Sequence, residues 1–212
     1  QPVVPMISLS DSTFRERDYS LGDPITLMYV GRLVKEKGVP ELLEAISTLK
    51  RYHRNVRLVL LGGGSESEMA GVRKSLDDLS ISNDVIVKGY VSDQTEISRL
   101  YEDCDVFVFP SYYVEGFPRV VYEAMLKQLP IICTILPGMT GFMIDRRNCI
   151  EVPERDSKAL TTAIDQLLSD VALRSDLGRR ARDDAVSYLK GFVAKSHSDQ
   201  VIANLEKRAS RF

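Results

Sequence analysis

The stretch Ile25-Thr26-Leu27-Met28-Tyr29-Val30-Gly31-Arg32-Leu33-Val34-Lys35-Glu36-Lys37-Gly38, continued by Val39, Leu42, Leu43, Ile46 and Leu49, decides the fold. Its first six residues form a nearly continuous apolar run, the pattern of a parallel strand covered on both faces. From Val39 onward the apolar residues recur at one-face helical spacing, with Glu41, Glu44 and Lys50 on the opposite side. A strand, a polar loop and a returning helix make one βα unit. The same alternation recurs in VRLVLLG at 56–62, DVIVKG at 84–89, DVFVFP at 105–110 and PIICTI at 130–135, with helical spans predicted at 66–80, 93–103 and 117–128. Four such units and a fifth strand predict an α/β fold, a Rossmann-like doubly wound parallel sheet.

Outward from this repeat the signals weaken. Residues 1–24 show no sustained period and end in Gly22-Asp23-Pro24, so they read as an interdomain linker or tail. Downstream, Glu151-Val152-Pro153 suggests a sixth short strand, and Ser157 is expected to cap a helix carrying Leu160, Ile164, Leu167 and Leu168. A last helical region is predicted from 171 to about 208, broken near Lys190 and Gly191. The domain thus spans 25–188, and 189–212 reads as a helical tail.

The chain has 212 residues, about one and a half typical domains, which favours one globular unit with short appendages. It is 44% hydrophobic and 27% charged with a net charge of -2, an ordinary soluble composition without the basic footprint of a nucleic-acid partner. Cys104, Cys133 and Cys149 are odd in number and widely spaced, against a disulfide framework or zinc site and in keeping with a cytoplasmic location. Neither a secretory leader nor a span of 18 apolar residues is present. The first residue is Gln1 rather than Met, which suggests an excised or processed piece.

In an open parallel sheet, ligands bind beyond the carboxyl ends of the strands, so a motif gains weight when it follows a strand. Four do: the loop 31–38; Gly62-Gly63-Gly64-Ser65; Gly89-Tyr90-Val91; and Pro110-Ser111-Tyr112-Tyr113-Val114-Glu115-Gly116-Phe117-Pro118. Arg32 and Lys37 flank a turn ending at Gly38, where the first helix begins; this suits a diphosphate, and it equally describes a solvated basic loop. Gly62-Gly63-Gly64 fails the dinucleotide fingerprint, since Ser67 stands at the third glycine position, and reads as a tight strand-to-helix turn. In the fourth loop Pro118 fits a first helical turn, beside which free N–H groups could hold phosphate. Glu123 admits two readings. With Arg119 and Lys127 at i, i+4 it makes a surface ion-pair ladder worth a few tenths of a kcal/mol. Alternatively, about five residues into the helix, roughly 7.5 Å along its axis, it sits where a carboxylate could accept the vicinal hydroxyls of a ribose.

Gly31-Arg32-Leu33, Glu36-Lys37-Gly38, Pro110-Ser111 and Glu115-Gly116-Phe117-Pro118-Arg119-Val120-Val121-Tyr122-Glu123-Ala124-Met125 together resemble the nucleotide-sugar domain of retaining GT-B glycosyltransferases of family 4, whose signature is two glutamates with seven residues between them. The resemblance covers about 25–188 and implies the C-terminal half of a GT-B fold. It implies that Arg32 and Lys37 hold the donor diphosphate, that Tyr90 and Val91 meet the base through backbone groups, that Glu115 contacts the sugar and that Glu123 binds the ribose. Gly31 and Gly116 belong to the same donor site, and the amides of Phe117, Arg119, Val120 and Val121 assist the phosphates. The resemblance further implies that Arg32, Lys37 and Glu115 carry the catalytic contacts.

The implied activity is hexosyl transfer from a UDP- or GDP-linked sugar to a glycan or polyprenyl-linked acceptor, with no metal or other cofactor required. The Glu-Gly-Phe-Pro sequence resembles the subgroup active in surface polysaccharide assembly, which implies work at the inner face of the cytoplasmic membrane, with any peripheral membrane contact made through the absent half. That half is the amino-terminal acceptor domain, which residues 1–24 cannot supply. Gln128, Cys149 and the loop 135–141, which lacks acidic residues, depart from the family pattern around the sugar pocket. Asp103-Cys104-Asp105 matches a short metal motif but precedes a strand, away from the ligand edge. His53 and His197 also lie away from that edge, which argues against histidine catalysis. A GT-B-fold epimerase or phosphorylase and a non-catalytic phosphate-binding module are the competing functions.

Overall fold

The computed structural model describes residues 16–189. Its strands are β1 (Ile25–Val30), β2 (Val56–Leu61), β3 (Val85–Gly89), β4 (Val106–Phe109), β5 (Ile131–Cys133) and β6 (Ile150–Glu151). The helices are α1 (Val39–Arg51), α2 (Glu66–Asp78), α3 (Gln94–Asp103), α4 (Arg119–Leu126) and α5 (Ser157–Ser169), followed by α6 (171–189). All strand pairings are parallel and the sheet order is β3-β2-β1-β4-β5-β6. The chain builds outward from β1 to β3, then returns to the other side of β1 with β4. That reversal opens a crevice beyond the carboxyl ends of β1 and β4, the place at which a parallel sheet of this kind holds its ligands.

The strands form because their side chains are buried on both faces: Leu27, Met28, Tyr29, Leu58, Leu60, Val106, Phe107, Val108 and Ile131 belong to one continuous core. The register β1 to β2 runs in step from Ile25↔Val56 to Val30↔Leu61, so the loops after both strands leave the sheet at the same level. Helix α1 contributes Val39, Leu42, Leu43, Ile46 and Leu49 to that core, the stripe that its sequence spacing predicts.

Three local expectations change. Asp156, not Ser157, caps α5, because its carboxylate accepts from the N–H groups of Lys158 and Ala159 at 3.0 and 2.8 Å. Pro118 is the extended residue before α4 rather than its first helical residue. The described part of the amino-terminal segment is not free chain: Tyr19 is buried, its hydroxyl donates to the carbonyl of Gln128, and its own carbonyl accepts from Arg174. The predicted break near Lys190 and Gly191, and the helix beyond it, lie outside the described residues. All three cysteines are buried and free, and burial pushes the Cys104 thiol up to about 12. Among the described residues no helix is long and apolar enough to cross a membrane.

Candidate functional site

The loop from β1 to α1 is shaped by its backbone before its charges matter. Leu33 donates to the carbonyl of Gly63 at 2.8 Å, which ties this loop to the one after β2, and the Tyr29 hydroxyl donates to the carbonyl of Arg32 at 2.8 Å. Lys35–Lys37 form one 3-10 turn, which ends at Gly38 with φ of 72°. A Cβ on Gly38 would stand 2.2 Å from the carbonyl oxygen of Pro110, so glycine is what lets the β1 and β4 loops cross in contact. The N–H of Tyr112 donates to the carbonyl of Glu36 at 3.0 Å and joins the same two loops.

This crossing directs Lys37 toward the β4 loop. Its Nζ lies 2.5 Å from Oε1 of Glu115 and 4.7 Å from the ring centre of Tyr113, and its side chain is only 12% exposed. Such a pair is a charge-assisted contact between largely covered groups, with the aromatic face adding a second favourable surface for the ammonium. Arg32 is held differently. Its Nη2 reaches Oε1 of Glu68, at the start of α2, at 3.3 Å, while its side chain stays 69% exposed. The Ser65 backbone N–H, then its hydroxyl and the Arg32 charge, hold the Glu68 carboxyl below the ordinary glutamate range.

Helix α4 begins at Arg119, three residues intervening after Glu115. The N–H of Val121 already donates to the carbonyl of Pro118 at 3.1 Å, whereas those of Arg119 and Val120 have no partner among the described residues. Two unpaired donors and the positive end of a helix therefore face outward beside the cations. Gly138, in the 3-10 turn Pro137–Met139, supports the loop from behind: a Cβ there would fall 2.5 Å from the carbonyl carbon of Gly116.

These elements enclose a cleft of about 430 Å³ at the β1/β4 reversal. Of the residues singled out from sequence, Gly31, Arg32, Lys37, Glu115, Arg119 and Val120 line it. Glu36, Glu68 and Tyr113 line it as well and were not singled out. Cations and carboxylates are balanced there, Arg32, Lys37 and Arg119 against Glu36, Glu68 and Glu115, and each of two cations is closed on a carboxylate. A ligand with concentrated negative charge could take those cations over.

Glu123 stands apart from the cleft lining. It is 6% exposed, and its Oε2 accepts from the hydroxyl of Tyr101 at 3.2 Å. Lys127 points instead to Glu102 at 2.5 Å and to Ser98. The surface-ladder reading of Glu123 is thereby overturned: α4 turns this carboxylate inward against α3. Burial pushes its carboxyl above the ordinary range, against smaller opposing effects of Tyr101 and Arg119.

The remaining predicted residues are not gathered into the cleft. Tyr90 and Val91 follow edge strand β3, two strands away from β1, and the Tyr90 side chain is 88% exposed. Gly116 and Val121 do not line the cleft, and Phe117 packs edge-on against Phe142 with ring centres 5.0 Å apart. Asp105 serves the opposite edge of the sheet, accepting from the N–H groups of Gly22 and Thr26 at 3.2 and 2.7 Å. His53 follows α1 at that same far edge, and His197 lies outside the described residues. Among the described residues no group of three His, Cys, Asp or Glu side chains could hold a metal ion. Glu68 could have been found from sequence, since Ser65 and Glu68 have the spacing of a capping box, which forms here.

Comparison with known proteins places this chain in a family. The chain is 31% identical over 162 residues to the capsular polysaccharide biosynthesis glycosyltransferase CapM of Staphylococcus aureus, covering 76% of this chain and 41% of that protein. The chain thus spans less than half the length of that relative. Its fold matches the C-terminal domain of a glycosyl transferase group 1 family protein, LpcC, from Francisella tularensis, with a TM-score of 0.70 and 24% identity over 79% of this chain and 87% of that one. It also matches HepE of Anabaena, solved in complex with UDP and glucose, with a TM-score of 0.73 and 21% identity over 83% and 48% of the two chains. The sheet is thus the Rossmann-like kind found in the C-terminal domains of GT-B glycosyltransferases. The description "Glycosyl transferases group 1" matches residues 11–184, and the chain belongs to that family.

Proposed function

We propose that the cleft is the donor site of a retaining glycosyltransferase of family 4, and that this chain is its nucleotide-sugar half. The observation that carries the reading is the convergence of Lys37, Arg32, Glu115 and the unpaired N–H groups of Arg119 and Val120 at the β1/β4 reversal. A diphosphate has the charge and the acceptor oxygens to engage all of them at once. Lys37 and Arg32 hold its two phosphates, the α4 amides complete the cradle, and Glu115, released from Lys37, accepts hydroxyls of the sugar. The ribose and the base extend beyond the cleft lining on this reading, the ribose hydroxyls toward the buried Glu123 and the base toward the backbone at Tyr90 and Val91.

In the reaction, an acceptor hydroxyl attacks the anomeric carbon from the face on which the diphosphate departs. Charge develops on the leaving oxygens, so cations and amides already aimed at them favour the transition state over the bound donor. No metal enters this scheme. The donor is a UDP- or GDP-linked hexose and the acceptor a glycan or polyprenyl-linked saccharide, held by an amino-terminal domain at the inner membrane face. The similarity to a capsular polysaccharide biosynthesis glycosyltransferase of S. aureus supports the saccharide nature of the acceptor. By itself the 212-residue chain binds donor nucleotide weakly and transfers little sugar.

The test is calorimetric titration of the chain with UDP and GDP beside Lys37→Ala. Saturable binding that the substitution weakens is expected. No saturable binding by either nucleotide, or a variant equal to wild type, removes the donor-site reading.

A further inference from the structure

Glu68 differs from the other carboxylates of the cleft in having a fixed partner for each oxygen. Oε2 accepts from the backbone N–H of Ser65 at 2.5 Å, and Oε1 accepts from Nη2 of Arg32 at 3.3 Å. The Ser65 hydroxyl returns the contact, accepting from the N–H of Glu68 at 3.3 Å, so the side chain is locked in the capping box of α2. Gly64 lets it lie flat on the turn, since a Cβ there would sit 2.7 Å from Oε2. Glu115, by contrast, has among the described residues Lys37 as the one partner of its carboxylate.

We propose that Glu68 is the positioning residue of the cleft: anchored on Ser65 through one oxygen, it fixes Arg32 through the other and so sets how tightly a diphosphate is held. This rests on the donor-site reading above. A guanidinium as exposed as that of Arg32 would otherwise sample many rotamers, and a ligand would bear the cost of ordering it. The tether uses one nitrogen of a group with five N–H donors, leaving the rest of the fork for phosphate oxygens. An exposed ion pair adds little to folding stability, so the contact serves placement more than the fold.

The chemistry singles out glutamate. Glutamine at 68 still presents one amide oxygen to Ser65 and keeps the capping box, but it has no second oxygen for Arg32. Glu68→Gln in the full 212-residue chain therefore separates the cap from the tether. Calorimetry with UDP and GDP is run on wild type, Glu68→Gln, Arg32→Ala, Lys37→Ala and the doubles Arg32→Ala/Glu68→Gln and Lys37→Ala/Glu68→Gln, with thermal unfolding of each. The expected result is a midpoint for Glu68→Gln within about 2 °C of wild type and diphosphate binding weakened roughly five-fold. That weakening disappears on the Arg32→Ala background and persists on Lys37→Ala, because only the coupled pair is non-additive. Unchanged or tighter binding by Glu68→Gln overturns the proposal, the tighter result marking Glu68 as a competitor of the ligand. So does a loss that survives removal of Arg32. In those cases wild type still binds nucleotide and the donor-site reading stands; if wild type binds neither nucleotide, both fall together.

Discussion

The buried charges at one edge of the sheet and the cleft charges at the other are held in different ways. At the amino edge, beside open ion pairs such as Lys50 with Asp84 and Arg54 with Asp165, one set of charged side chains satisfies backbone. Arg174, 5% exposed, donates to the carbonyls of Leu167, Leu168 and Tyr19 at 2.6, 3.2 and 2.9 Å. Asp105 accepts two backbone N–H groups, and Arg17 donates to the carbonyls of Tyr101, Cys104 and Lys127, closing the ends of α3 and α4. At the carboxyl edge the cleft charges pair with one another, Lys37 with Glu115 and Arg32 with Glu68, while the first amides of α4 have no partner among the described residues. Backbone partners cannot leave, so the first set belongs to the fold. Side-chain partners can exchange with a ligand, so the second set is available for binding.

The sharpest way to probe that division is a residue of the carboxyl edge that carries no charge. Gly38→Ala places a methyl 2.2 Å from the carbonyl oxygen of Pro110 at a φ of 72°. The clash is with backbone and cannot be relieved by a rotamer change. A stability loss on the order of 3 kcal/mol is expected in urea unfolding. A loss below about 1 kcal/mol would mean that the β1 and β4 loops are not held in contact, and the cleft would lose its rigid floor.

Next in size is Arg174→Met, which keeps the length and apolar stem of the side chain and removes its donors. Three carbonyls at the amino edge are left to find water, at an expected cost of about 2–4 kcal/mol. Nucleotide affinity of the folded protein should stay within about twofold of wild type, since sites this far apart add independently. Lys37→Ala is the mirror experiment. Its partner Glu115 is open enough to be hydrated once unpaired, so stability should fall by no more than about 1–2 kcal/mol, while UDP affinity falls roughly ten-fold or more. A large unfolding shift for Lys37→Ala, or an affinity loss for Arg174→Met, would erase the distinction between the edges.

What the sequence could reveal follows the range of the forces involved. Strands covered on both faces need unbroken apolar runs, so β1 to β5 and the alternation with helices are legible residue by residue. Arg32, Lys37 and Glu115 meet because each follows a strand, and strand ends of a parallel sheet share one edge. The pairing of Arg32 with Glu68, 36 residues apart, needs the knowledge that β1 and β2 are neighbours and in register, which no local pattern carries. Position 123 shows the same limit more sharply. An i, i+4 series of Arg119, Glu123 and Lys127 is compatible with a solvated face or with an inward turn, and only the packing of α3 against α4 decides. Cap assignment at Asp156 and Ser157 fails for a smaller reason, since both residues cap well and one position separates them. The docked segment around Tyr19 carries no local signal because it bonds through a carbonyl of Gln128, a group every residue possesses, and through its own carbonyl to Arg174, which is 155 residues away.

Glu123 offers the subtlest comparison, because it is buried like the amino-edge charges yet bonded to a side chain like those of the cleft. Desolvation raises its carboxyl pKa in the folded protein, with the Tyr101 hydroxyl and the Arg119 charge pulling less strongly the other way. A raised folded value means that the native state holds the proton more tightly than the unfolded chain does. Burial therefore costs nothing below the ordinary glutamate pKa, and its cost grows as pH rises through the folded value. Glu123→Gln removes the ionisation and keeps an acceptor for Tyr101. Its unfolding midpoint should exceed that of wild type at neutral pH, with the difference fading as pH falls toward about 4. If the carboxylate waits for ribose hydroxyls, the same variant binds UDP more weakly at neutral pH, so stability and affinity move in opposite directions, as they do where a strained site is kept for its function. A variant that is less stable than wild type at neutral pH would place Glu123 with Arg174, among the charges that hold the fold together.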